Sequence, residues 1–253
     1  MNHHPDISRR RPFLERLNTS VRKRFFGRDP STTSRIINCR YYGARFEVDL
    51  SDVVGFEIAI NRYEWRELQL MMAACERFRP DVFVDVGANL GLYTCVLGCK
   101  KLVPRMIAFE PDRENFSRLT DNLARNGLSA QVEAHGVAVG ARFGSATLVP
   151  SAPTNRGMSR IDDEPSENAY DVTMVALDEM VPHIGRNIAI KIDVEGFEDE
   201  VLSGATQLLG RNGGYAQIEA HGDEAAARLI GRMEGFGWRF RERYGLDVRF
   251  EKT

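Results

Sequence analysis

From residue 81 onward the chain alternates between short, nearly unbroken apolar runs and stretches whose apolar positions recur three or four residues apart. "DVFVDV" leads into a helix over about 90–100, "RMIAFE" into a helix from Pro111 to Asn126, and "QVEAHGVAV" reads as a third strand. "NIAIKIDV" and "GYAQIEAH" supply two more strands, separated by the helical "EDEVLSGATQLLG". A helix over about 222–235 then precedes "GWRFRER" and "LDVRFEK", which pattern as an antiparallel hairpin joined at Tyr244 and Gly245. Strand and helix in turn predict a parallel sheet covered by helices, with right-handed crossovers. Of the helices, the second is best signposted: Pro111 suits a first turn, Phe116, Leu119 and Leu123 form an inner stripe, and Gly127 suits the C-terminal cap.

Upstream, "ARFEVDLSD" (44–52) alternates Phe46, Val48 and Leu50 as a strand does. "YEWRELQLMMAACERF" (63–78) sets Trp65, Leu68, Met71, Met72 and Cys75 on one helical face. Before these, Phe13, Leu14, Leu17, Val21 and Phe25 recur at helical spacing among Arg9, Arg10, Arg11, Arg16, Arg22, Lys23 and Arg24. The expected organisation is a basic helical extension over 1–40, a strand and helix over 41–80, and the main α/β domain over 81–253.

Charge sharpens that division. The net charge is -2, yet residues 1–40 hold ten Lys and Arg against three Asp and Glu, so the head is basic and the body acidic. Such a head suits peripheral contact with an anionic membrane surface or an acidic partner, or a solvated helix docked on the domain. No apolar run approaches the roughly 18 to 20 residues of a bilayer span, and no apolar stretch follows the charged start as in a secretory signal, so a cytoplasmic location is expected. Cys39, Cys75, Cys95 and Cys99 form no CxxC pair and read as reduced packing residues.

In a doubly wound sheet, ligands bind beyond the carboxyl ends of the strands where strand order reverses, which directs attention to the loops after the first and fourth strands. After the first, in "FVDVGANLGLYTC", Gly87 and Gly91 permit a tight turn and close approach of a ligand, and Asp85 and Asn89 bring polar groups to the same place. Asn89 and Leu92 stand where a dinucleotide fingerprint needs glycines, which argues against NAD or FAD. Glu110, 23 residues after Gly87, ends the second strand, where a carboxylate accepts both hydroxyls of a ribose.

After the fourth strand, "IAIKIDVEG" places Lys191, Asp193 and Glu195 on one face, and "QIEAHG" places Glu219 and His221 together. If these strands are neighbours, Asp193, Glu195, Glu219 and His221 meet beside the glycine turn. A Lys191–Glu219 ion pair that only braces the sheet is the plainer reading of part of this set. The polar stretch 151–171 fits an acceptor loop or surface excursion, with Asn155, Arg156 and Ser159 able to meet sugar hydroxyls or an acidic group.

Together, "VDVGANLGLYT", "AFEPDRENFSRLTDNLARNG", "AVG" at 138–140 and "IKIDVEGFEDEVLSGA" resemble the FkbM family of class I S-adenosylmethionine-dependent methyltransferases, over residues from about 63 to about 221. The resemblance implies a Rossmann-like seven-stranded sheet in the order 3-2-1-4-5-7-6, its last strand antiparallel, and methyl transfer to a hydroxyl of a sugar or polyketide-like natural product. It implies S-adenosyl-L-methionine held by Asp85, Gly87, Ala88, Asn89 and Gly91 at the methionine portion, with Asp193 close by. Glu110, followed by Pro111, is implied at the ribose, and Val137 and Ala138 at the adenine.

The sulfonium brings its own activated methyl, so the protein mainly has to align a nucleophilic oxygen and take its proton. Imidazole suits proton uptake, which makes His221 the candidate base, with Asp193 or Glu195 as substitute base or orienting group and Glu219 on the acceptor. No metal is assigned, although oxygen and nitrogen ligands from two strand ends are a set a divalent ion could use. A nucleic-acid methyltransferase fits the basic head, but "IDVEG" stands where amino-methylating enzymes carry Asn/Asp-Pro-Pro-aromatic. A non-catalytic module that binds the cofactor or scaffolds a biosynthetic complex is the other alternative.

Overall fold

The computed structural model describes residues 13–27, 29–162, 168–181 and 185–253, with side chains described from residue 19 onward. Arg9, Arg10, Arg11 and Pro165 lie outside the described residues, as do the side chains of Phe13, Leu14, Arg16 and Leu17.

The predicted basic helix is α1, Phe13–Phe26, with Val21 and Phe25 exposed. It is followed by a hairpin the sequence reading half missed: β1, Ile36–Tyr41, pairs antiparallel with β2, Ala44–Asp49. A boundary at residue 40 therefore falls inside β1. Phe46, Val48 and Leu50 point inward as the alternation requires. Next come α2, Val53–Ala59, capped by the Asp52 carboxylate on the Gly55 N–H, and α3, Trp65–Phe78. Helix α3 starts two residues after Tyr63, and Glu64 at its N-cap is left-handed, with φ 42°.

The main sheet is built from β3 (Val82–Val86), β4 (Met106–Phe109), β5 (Val132–His135), β10 (Asn187–Ile192), β11 (Gly213–Glu219), β12 (Arg239–Tyr244) and β13 (Asp247–Lys252). In space they run β5-β4-β3-β10-β11-β13-β12, with β13 antiparallel to β11. This is the 3-2-1-4-5-7-6 order, and the strand order reverses between β3 and β10. The terminal hairpin turns at Gly245 and Leu246, one residue later than expected, because Tyr244 still pairs with Asp247.

Alternate side chains feed two apolar layers. Phe83, Met106, Ala108 and Ala189 face one side with β2, α2, α3 and the helices α4 (Leu92–Cys99) and α5 (Arg113–Arg125). Val84, Ile107, Ile190 and Ile218 face the other. There they pack against α6 (Leu177–Met180), α7 (Glu198–Ser203), α8 (Thr206–Arg211) and α9 (Asp223–Gly235). Both faces are dry, which is why these strands read as continuous apolar runs. Helix α5 begins two residues after Pro111: Asp112 is the cap, accepting the N–H groups of Glu114 and Asn115.

The expected third strand is in fact two. The chain leaves the main sheet after His135, and β6, Ala138–Val139, joins a second sheet with β7 (Gly144–Val149), β8 (Arg160–Ile161) and β9 (Tyr170–Val175), in the order β6-β9-β7-β8. The polar stretch 151–171 expected as a loop stays mostly irregular among its described residues, interrupted by a short turn at Arg156–Met158 and by β8, while the sheet around it was not expected. That sheet buries only a small apolar patch around Ala138, Leu148 and Val172, so its alternation is weak in the sequence. Among the described residues, no helix is long and apolar enough to cross a membrane.

Candidate functional site

One cleft opens over the carboxyl ends of β5, β4, β3, β10 and β11. Its floor is the bend between β3 and α4. Gly87 has φ 79°, and a Cβ there would overlap the carbonyl oxygen of Asp193, so the β3 and β10 loops touch through a place only glycine can occupy. Asn89 is also left-handed, at φ 51°, and its side-chain Oδ1 accepts the Leu90 N–H at 2.7 Å. Gly91, at φ 87°, caps α4 and, against expectation, does not line the cleft: a Cβ there would meet Leu119 and Cys95.

Glu110 closes on this bend. Its Oε2 accepts the Asn89 N–H at 2.7 Å and its Oε1 the Asp112 N–H at 2.9 Å. Burial pushes its carboxyl up to about 8, against the pull of those two N–H groups. Asp85 is 1% exposed: Oδ2 accepts the Thr94 hydroxyl at 2.5 Å, while Oδ1 has no hydrogen-bond partner. Burial raises it to about 6, although Lys191, its register partner across β10, draws it down. Ala88, Pro111, Val137 and Ala138 also line the cleft.

On the β10–β11 side, Lys191 is 4% exposed and donates to Asp193 Oδ2 at 2.5 Å. Burial alone would raise Asp193, but the Lys191 ammonium holds it below the usual carboxylate range. Glu219 lies against Asp193 and is pushed well up by burial and by that neighbour's charge. His221 Nε2 sits 3.0 Å from Glu219 Oε2 and 3.3 Å from Glu195 Oε2. The four residues expected to meet beside the glycine turn do so, while the Lys191–Glu219 pair is replaced by Lys191–Asp193, because Gln217 and not Glu219 is the register partner of Lys191.

Some expected positions differ. His221 is at the rim, outside the cleft lining, with its side chain 44% exposed. Asn155 and Arg156 also do not line the cleft: the Asn155 amide turns to Met158 and the Arg156 guanidinium pairs with Glu114. Ser159 does line it, but its hydroxyl donates to Asp112 at 3.1 Å. Gly157, Arg160 and Ile161 form that wall beside it. Sequence reasoning missed Tyr63 and Glu64, which enter from the segment before the core. Glu64 Oε2 lies 3.9 Å from Lys191 Nζ. The left-handed start of α3 aims them inward, and nothing in the helical pattern signals it.

The cradle, the unpartnered Asp85 oxygen and the acid at the end of β4 fit a ligand that combines a sugar with a polar, cationic group. Glu195, Glu219 and His221 offer ligand atoms within 4.8 Å of one another, a set a metal could use.

Comparison with known proteins places this architecture. The family model of the methyltransferase FkbM domain matches residues 85–240. The hexuronic acid methyltransferase AglP of Haloferax volcanii is 29% identical over 188 residues, 71% of this chain and 71% of that protein. The structure of methyltransferase FkbM from Methylobacillus flagellatus KT aligns with a TM-score of 0.49 and 18% identity over 77% of this chain. The aligned part is 53% of that longer chain. M. jannaschii TYW2, solved in complex with AdoMet, aligns with a TM-score of 0.50 and 13% identity over 88% of this chain and 89% of that one, a likeness of fold. The family match spans more than half of the sequence and carries both loops that build the cleft: the chain belongs to the FkbM methyltransferase family, and it is a methyltransferase.

Proposed function

We propose that the protein is an S-adenosylmethionine-dependent O-methyltransferase acting on a hydroxyl of a small sugar-like or polyketide-like acceptor. The single observation that carries this reading is the closure of Glu110 on the Gly87–Gly91 bend, an acid at the end of one strand bonded to the backbone of the turn after its neighbour. Glu110 would hold the ribose, Val137 and Ala138 the adenine, and Asp85, Gly87, Ala88 and Asn89 the methionine portion, with Gly91 shaping the turn behind them. When bound, this cofactor would supply an electrophilic methyl on a positively charged sulfur, which departs as a neutral thioether once the methyl–sulfur bond breaks.

The chain's own residues then have two tasks. The first is to hold the acceptor oxygen in line, above β10 and β11, where Asp193, Glu195 and Glu219 line the cleft. The second is to take its proton. The hydroxyl proton would pass into the carboxylate cluster. There Lys191 keeps Asp193 ionised, and His221, hydrogen-bonded to Glu219, close to Glu195 and open to solvent, would hold the proton and release it to water. A sugar-like acceptor is in keeping with the hexuronic acid named for the haloarchaeal relative. The test is methyl transfer from labelled cofactor to a panel of hydroxylated acceptors, read by mass spectrometry. A gain of one methyl on oxygen is expected; cofactor binding without turnover on any acceptor would favour a binding module.

A further inference from the structure

The order of strands beneath the cleft fixes how a nucleoside with an amino-acid tail must lie. Val137 and Ala138 follow β5, Glu110 ends β4, the glycine bend follows β3, and Lys191 and Asp193 belong to β10. With adenine over β5 and ribose over β4, the tail reaches the β3–β10 side. Three carboxylates stand there, Asp85, Asp193 and Glu64, against the one ammonium of Lys191, and that ammonium is closed on Asp193 at 2.5 Å.

Two buried carboxylate oxygens on this side have no hydrogen-bond partner, Asp85 Oδ1 and Glu64 Oε2. They come from different elements. Asp85 is in β3, while Glu64, itself left-handed, stands at the head of α3, where the Tyr63 and Tyr93 hydroxyls bond its carboxyl and Lys191 Nζ lies 3.9 Å from Oε2. A buried carboxylate oxygen without a hydrogen bond has lost hydration that nothing in the fold replaces. The left-handed backbone of Glu64 is strain of the kind found at functional sites. Both residues line the cleft, where a cationic donor would give each of these oxygens a partner.

Resting on the cofactor reading above, we propose that Glu64, a residue from outside the core sheet, forms with Asp85 the seat for the α-ammonium of the cofactor's amino-acid end. The segment before the core is then part of the binding site, and it selects nucleosides that carry the amino group. The same cationic chemistry could come from an amine on the acceptor, and the choice of probes separates the two.

The test is isothermal titration of the wild type, Glu64→Gln and Glu67→Gln with two probes. S-adenosylhomocysteine has the ammonium but no sulfonium, and methylthioadenosine has the nucleoside and sulfur but no amino acid. Glu64→Gln is expected to weaken S-adenosylhomocysteine about tenfold or more and to leave methylthioadenosine within about twofold. Glu67→Gln, one helical turn on, is expected to change neither. An unchanged affinity of Glu64→Gln for S-adenosylhomocysteine, an equal loss for both probes, or an equal effect of Glu67→Gln overturns the assignment. A wild type that binds neither probe overturns the cofactor reading along with it. Thermal melting of each variant, expected near the wild-type value, separates loss of the seat from loss of the fold.

Discussion

The backbone N–H of Asn89 donates to Glu110 Oε2 at 2.7 Å, tying the turn after β3 to the residue after β4. Two loops 21 residues apart thus become one surface, and the acid that ties them faces the cleft. Replacing Glu110 by Ala removes the acceptor for both the Asn89 and Asp112 N–H groups and the contact to a ribose. Titration calorimetry is expected to show cofactor affinity reduced at least tenfold.

Gly87→Ala is expected to be more damaging than any other single methyl in the loop. The new Cβ meets the Asp193 carbonyl, which belongs to rigid backbone, and φ is 79°. Denaturant unfolding is expected to show a loss of about 2 kcal/mol or more. Gly91→Ala also meets a neighbour, but that neighbour is the flexible Leu119 side chain, so it is expected to cost less.

Buried acids with raised pKa values set a pH dependence of stability. Glu110 and Asp247 are pushed to about 8 and Asp85 to about 6, chiefly by burial. The folded chain therefore keeps protons that the unfolded chain releases near pH 4. The stability from these groups is full below that range and is lost as pH rises through about 6 to 8, at up to about 1.4 kcal/mol per pH unit for each group. Urea unfolding of the ligand-free protein is expected to give lower stability at pH 9 than at pH 6, with the difference reduced in Glu110→Gln. Asp193 works in the opposite sense: held low by Lys191, it contributes stability above the ordinary carboxylate range that is lost in acid.

Lys191→Met leaves Asp193 buried beside Glu219 without its cation. A loss of about 3–5 kcal/mol in unfolding free energy is expected, partly restored by adding Asp193→Asn. Equal stability of Lys191→Met and wild type would show that the pair contributes nothing.

His221→Gln is expected to lower kcat about 100-fold or more while leaving cofactor affinity nearly unchanged, because the ring touches Glu195 and Glu219 and stands outside the cleft lining. Activity is expected to survive exhaustive chelation, since this account gives Glu195, Glu219 and His221 a proton to hold rather than a metal.

What the sequence made legible follows its physics. The main sheet is dry on both faces, so its strands are apolar runs, and "DVFVDV" or "NIAIKI" cannot be read otherwise. Its order came with the family motifs. The acids of "IDVEG" and "QIEAH" stood out because charges in such strands need partners. The second sheet escaped notice because its buried apolar patch, Ala138, Leu148 and Val172, is small. The direction of Arg156 depends on Glu114, a residue 42 positions earlier, and no local pattern reveals that. Glu64 was hidden for a similar reason, since a helical stripe says which face is apolar and nothing about a left-handed residue at its head.

The most direct measurement is calorimetric titration of the wild-type protein with S-adenosylmethionine, alongside Glu110→Ala and His221→Gln. The account predicts saturable binding at one site per chain, weakened at least tenfold by the first substitution and unaffected by the second. No saturable binding to the wild type, or equal affinity in Glu110→Ala, would contradict it.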